Sequence, residues 1–209
     1  MLEVRLRFNN DVLLVALHAA GGFAHRADRD ALGEGETHAG SDHLIARTRQ
    51  GIIRQIVHAA ERRAVHTERT ADDALIAAEL ITHKSVTLYC TGGQLQRGNN
   101  SYVYVGPDAM QSIAKYRTSK CFIGCSALNF EYGLMVFSGI EAEIKKEIAK
   151  SAESIICLAD SSKFNRTAFS SYLRVEEIDV CITDDNVAPE HVELLKQKGV
   201  QVIVAGEND

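Results

Sequence analysis

Asp160, Ser161, Ser162 and Lys163 follow one another directly after the apolar run Ile155–Ala159. A carboxylate, two hydroxyls and an ammonium thus sit at the end of a strand-like segment. Lysine binds phosphate as a point charge, and serine hydroxyls can donate to phosphate oxygens. The same four residues also fit a turn closed by an Asp160–Lys163 surface pair, which adds little stability. A second candidate is Thr91-Gly92-Gly93, after the run Val86–Cys90. Its lack of side-chain bulk lets backbone amides approach an anion, although a plain turn needs nothing more. Ser126 follows the run Cys121–Cys125 in the same way. Glu141 and Lys145 complete the set as an i,i+4 pair, for which solvent is the default surrounding.

Regular elements must hold these groups. Val86–Cys90, Tyr102–Val105, Cys121–Cys125, Ile155–Ala159, Val180–Thr183 and Val200–Val204 read as strands rich in β-branched, aromatic and cysteine residues. Helices are expected over Ala71–Ile81, from Pro107 to about Tyr116, over Ser138–Ala152, and from Pro189 to Gly199. Ser138 with Glu141 forms a capping box, and Ile140, Ile144 and Ile148 form the buried stripe. Asp72 and Asp73 open the first helix, where the dipole favours them. Strands alternating with helices give an α/β fold with a mostly parallel sheet and flanking helices. Ligands of such sheets bind beyond the carboxyl ends of the strands, where all three loop candidates fall.

Composition narrows the rest. A net charge of -5 gives no global basic footprint for nucleic acid. No apolar run is long enough for a membrane span, and Val12–Ala20 is too short for a signal peptide. The five cysteines lack metal-ligand spacing and read as reduced core residues of a cytoplasmic protein. No G-x-S-x-G, P-loop or H-E-x-x-H occurs, so no enzyme, cofactor or metal is indicated. His191 reads as a solvated helix residue. Residues 1–83 carry ten Arg and no Lys, whereas 84–209 carry nine Lys and four Arg, and this shift marks the N-terminal part as compositionally separate. Gly21–His43 shows almost no apolar periodicity. The division expected is 1–45, a poorly defined segment, and 46–209, a sensing domain. Residues 1–70 also fit translation of decayed or out-of-frame DNA.

Seven ordered segments carry a resemblance: TGGQL (Thr91–Leu95), YVGPDA (Tyr104–Ala109), FIG (Phe122–Gly124), EYGL (Glu131–Leu134), EAEIKKEI (Glu141–Ile148), LADSSKFNRTAF (Leu158–Phe169) and IDVCITDD (Ile178–Asp185). Together they resemble the effector-sensing domain of the DeoR family of bacterial transcriptional repressors. The resemblance implies a fold like that of sugar-phosphate isomerases, a phosphorylated sugar as effector, and operator DNA as the partner of intact members. A homo-oligomer is expected. It places Thr91, Gly92, Gly93, Ser126, Glu141, Lys145, Asp160 and Lys163 at the effector crevice. Where the family has Asp-x-Gly-Thr-Thr, this chain has Arg49-Gln50-Gly51-Ile52-Ile53, which carries over only Gly51. Thr70-Ala71-Asp72-Asp73 replaces a Thr-Asn-Asn segment, and Ser126-Ala127-Leu128 an Asp-Gly-Ile. Aspartates there would repel phosphate, and with the Gly-Thr-Thr cradle missing, weak or absent thermal stabilisation by sugar phosphates is expected. The family's winged helix-turn-helix is not recognisable, its DNA-binding residues are unassigned, and the chain is expected not to bind an operator alone. The alternative of the same fold is a sugar-phosphate isomerase with Asp160 or Glu141 as general base.

Overall fold

The computed structural model describes residues 13–16, 67–82, 84, 86–98 and 101–205. Its main sheet is parallel throughout, in the order β12-β11-β9-β6-β1-β2-β3. The strands are β1 (Leu13–Ala16), β2 (Thr67–Ala71), β3 (Val86–Cys90), β6 (Thr118–Gly124), β9 (Ala152–Leu158), β11 (Val180–Asp184) and β12 (Gln201–Ala205). Parallel strands need crossovers, and the sequence supplies helices between them. These are α1 (Ala74–Leu80), α2 (Pro107–Ala114), α3 (Gly139–Lys150) and α4 (Pro189–Gln197). Two antiparallel units are inserted: the hairpin β4 (Gln94–Gly98) with β5 (Ser101–Val105), and a small sheet of β7 (Ala127–Asn129), β8 (Gly133–Val136) and β10 (Ser170–Leu173).

The α/β expectation holds, and most elements lie where the sequence puts them. The first helix starts later than expected. Ala71 closes β2, and Asp73 caps α1, its Oδ1 accepting from Leu75 N at 2.8 Å and Ile76 N at 3.3 Å. The strands β1, β2, β4, β7, β8 and β10 are not among those expected; they are short and lack sustained alternation. Leu13–Ala16 lies between β2 and β6, so the segment 1–45 contributes a strand to the sheet that the sensing domain builds.

The sheet has two apolar faces. Ile76 and Leu80 of α1 pack with Ala71, Phe122, Ile156 and Ile182 on one. Ala142, Ile144, Ile148 and Ala149 of α3, with Ala109, Ile113 and Leu195, pack on the other against Cys121, Ile123, Cys157 and Cys181. Four cysteines are buried, as expected; Cys90 is exposed at the end of β3, next to the turn that follows it.

Candidate functional site

The carboxyl edge of the sheet carries two groups of the candidate residues, at the ends of neighbouring strands. One gathers around α3. Ser138 caps this helix, its hydroxyl oxygen accepting from Glu141 N at 3.4 Å. Of the isoleucine stripe expected, Ile144 and Ile148 are buried but Ile140 is 53% exposed, and Glu141 and Lys145 also face inward. Lys145 is 1% exposed, which corrects the solvent-facing reading. Its Nζ donates to Gly124 O at 2.9 Å, lies 3.8 Å from Glu141 Oε1, and stands 5.7 Å from the centroid of the Tyr172 ring. The Tyr172 hydroxyl donates to the same Gly124 carbonyl at 2.8 Å. A buried ammonium is retained only when such partners replace its water.

Asp72 belongs to this group. Thr91 N donates to Ala71 O at 3.2 Å, which continues the β2–β3 ladder one step past its last pair, Ala71 with Cys90. Asp72 and Thr91 therefore follow side by side at the two strand ends. Ala71 aligns through Val15 with Phe122, so its side chain lies on the α1 face, and alternation puts Asp72 and Thr91 on the α3 face. Both are buried, and neither Asp72 Oδ1 nor Thr91 Oγ1 has a hydrogen-bond partner. Burial pushes the Asp72 carboxyl from an ordinary 3.8 up to about 7. The positive charge of Lys145 opposes the rise, and Asp73 and Glu141 add to it. The sequence places Asp72 at a helix start and in the segment that replaces the family's Thr-Asn-Asn, but it does not reveal this buried environment.

Gly92 and Gly93 continue from Thr91 with φ of +72° and +91°. A Cβ at Gly93 would stand 2.7 Å from Val105 O and 3.1 Å from Ala109 N, so the turn is pressed against β5 and the start of α2. This backbone conformation and this contact are why glycine occupies the position. Ser126 N donates to Met135 O at 2.9 Å and leads into β7.

The second group lies at the end of β9. Asp160 caps a single 3-10 turn, Ser161–Lys163, with Oδ1 accepting from Ser162 N at 2.9 Å and from the Ser162 hydroxyl. Lys163 Nζ is 3.8 Å from Asp160 Oδ2, and its side chain is buried. Ser161 N donates to Asp184 Oδ2 at 2.6 Å, which ties the turn to β11. The pair is thus a buried-side turn closure and not a surface pair. From β9 to β3 the sheet takes four strand spacings, about 19 Å at the usual separation. Gly51 lies outside the described residues.

His191 also departs from expectation. Its ring stacks on Phe164 at 5.4 Å between centroids, and Phe130 lies 5.6 Å away. It is a packing residue that anchors α4 to the segment after Lys163. Among the described residues no cluster could hold a metal ion, and no helix is long and apolar enough to cross a membrane.

Comparison with known proteins agrees with the fold. The family described as DeoR C terminal sensor domain matches residues 51–185. The chain is 34% identical over 132 residues to a protein of Escherichia coli O157:H7 named "Putative aga operon transcriptional repressor", covering 63% of this chain and 48% of that one. It is 27% identical over 134 residues to the HTH-type transcriptional repressor GlcR of Bacillus subtilis, covering 64% and 51%. It is 33% identical over 113 residues to the HTH-type transcriptional regulator GlpR of Haloferax volcanii, covering 54% and 44%. The chain spans about half the length of the curated relatives it matches. The match over residues 51–185, joined to a parallel sheet with flanking helices, establishes that this chain belongs to the DeoR family of transcriptional regulators through its sensor domain.

Proposed function

We propose that this chain acts as the effector-sensing part of a DeoR-type repressor and that its sensor takes a phosphorylated sugar at the carboxyl edge of the sheet. The observation that carries this is Lys145. It is a cation 1% exposed, held at the end of β6 and acting electrostatically on Asp72 at the end of β2. A buried charge spanning the strand ends of a parallel sheet stands where ligands of such sheets bind. The turn at Gly92 and Gly93 supplies backbone amides at the same edge. In this reading the sugar biases two arrangements of the regulator, which requires different affinity for each. Operator recognition in the intact family belongs to a winged helix-turn-helix, whose sequence pattern is not recognisable in residues 1–45, so the chain alone is expected to leave operator duplexes unshifted. No catalytic turnover is assigned to it.

The test is thermal unfolding of the whole chain with a panel of pentose and hexose phosphates, with inorganic phosphate as the control. At ten times Kd a ligand stabilises by about 1.4 kcal/mol. For a domain of this size that raises Tm by about 3–6 °C. A rise with at least one sugar phosphate that inorganic phosphate does not reproduce supports the reading. No rise with any of them at tens of millimolar overturns it. Isomerisation of a sugar phosphate, lost in Asp72→Asn, would instead establish an enzyme.

A further inference from the structure

We propose that Asp72 and Thr91 form the specificity-determining end of the effector site and select a sugar phosphate bearing a protonated amine over its hydroxyl counterpart. This rests on the effector reading above. Asp72 Oδ1 and Thr91 Oγ1 are two buried polar atoms with no hydrogen-bond partner, at adjacent strand ends and on one face of the sheet. A buried acceptor left empty costs its full desolvation, so a site with two such atoms favours a ligand that brings donors.

Charge decides which donor. The groups acting on Asp72 are Lys145 and Glu141 from α3 and Asp73 from its own segment. One ammonium thus faces up to three carboxyl groups. An added phosphate meets a negative surplus here, whereas an ammonium fills the acceptors and reduces that surplus. A hydroxyl satisfies the hydrogen bonds but leaves the charge unbalanced. The phosphate end of the ligand is then directed away from Asp72, toward the backbone amides of Gly92 and Gly93. An ammonium beside Asp72 also favours its ionised form, so the amine ligand takes up the carboxylate state.

The experiment is calorimetric titration of the whole chain at pH 7 with glucosamine 6-phosphate, glucose 6-phosphate and inorganic phosphate. The amine sugar is expected to bind about tenfold tighter or more than the hydroxyl sugar, as a charge-assisted hydrogen bond requires. In Asp72→Asn the two sugars should bind alike, while the unfolding temperature shows that the variant is folded. Thr91→Val should weaken both sugars without removing the preference for the amine. Equal binding of the two sugars by the unaltered chain overturns this inference and leaves the effector reading standing. Preference that survives Asp72→Asn also overturns it. If neither sugar binds, this inference fails, and the effector reading is decided by the wider panel of pentose and hexose phosphates.

Discussion

Asp72→Asn should stabilise the protein above neutral pH, an outcome opposite to that of most buried substitutions. Burial raises the Asp72 carboxyl from 3.8 to about 7. A carboxyl raised in this way binds its proton more tightly in the folded than in the unfolded chain. Its favourable contribution is complete below about pH 3.8 and is lost as pH rises through about 7. The gap of about three pH units, at about 1.36 kcal/mol each, corresponds to roughly 4 kcal/mol between acid and alkaline conditions. Asparagine keeps the shape and never ionises. The variant should match the parent below about pH 3.8 and exceed it at pH 8 by as much as roughly 4 kcal/mol. In a domain of this size that is about 8–16 °C in Tm. Urea unfolding of both proteins from pH 4 to pH 9 measures the difference, and subtracting one profile from the other cancels every group they share. Within that window the difference should grow by about 1.36 kcal/mol per pH unit until the carboxyl is fully ionised. A variant less stable than the parent at pH 8, or a difference that does not change with pH, refutes the assignment of a buried, reluctantly ionised carboxyl at this position. If the inference about the amine is also right, the stabilised variant is the one that has lost selectivity, which is the usual relation between a binding site and stability.

Three further substitutions probe the same region. Lys145→Met removes the ammonium while keeping much of its volume, leaving Glu141 and Asp72 without that charge; chemical unfolding should show a loss of about 3–5 kcal/mol, and an unchanged midpoint would contradict the buried pairing. Tyr172→Phe deletes the 2.8 Å bond to Gly124 O and should cost about 1 kcal/mol by the same measurement, with Lys145 still holding the carbonyl. Gly93→Ala puts a Cβ 2.7 Å from Val105 O at φ +91°, and should lower Tm through a strain of about 1–3 kcal/mol; a variant as stable as the parent means the turn can move.

The fold was legible because its signals are local. Val86–Cys90 and the strands around Phe122, Ile156 and Ile182 are short apolar runs, and Pro107 and Pro189 each open a helix as proline at the first turn should. The small antiparallel sheet of β7, β8 and β10 was not legible, since three or four residues do not establish a period. Gly133 hints at one of them: its φ of +83° and the approach of Leu173 O and Arg174 Cα show a site where β8 meets β10, yet a lone glycine in sequence reads only as a turn.

The site was half legible, and α3 shows why. At about 100° per residue, isoleucines four apart do not form a straight row but advance by about 40° each time. With Ile140 at zero, Ile144 stands at about 40° and Ile148 at about 80°, while Ala149 and Ala142 fall near 180° and 200°. The buried arc therefore runs from about 40° to about 200°, and Ile140 drops off its edge, as its 53% exposure records. Its centre, near 120°, is flanked by Glu141 at about 100° and Lys145 at about 140°. The alanines carried this signal; counting only the isoleucines hid it. The opposite arc holds Glu143, Lys146, Glu147 and Lys150, which pair with one another at the surface. So the helix has two kinds of charged pair, a buried one four residues apart and exposed ones three apart, and the small apolar residues show which is which. Packing gives no reason for a lysine at the middle of a buried arc, where methionine or leucine would serve without desolvation. Its presence here, with Gly124 O and Glu141 to receive it and Asp72 within reach of its field, accords with the proposed effector site, which would require charge at the strand ends.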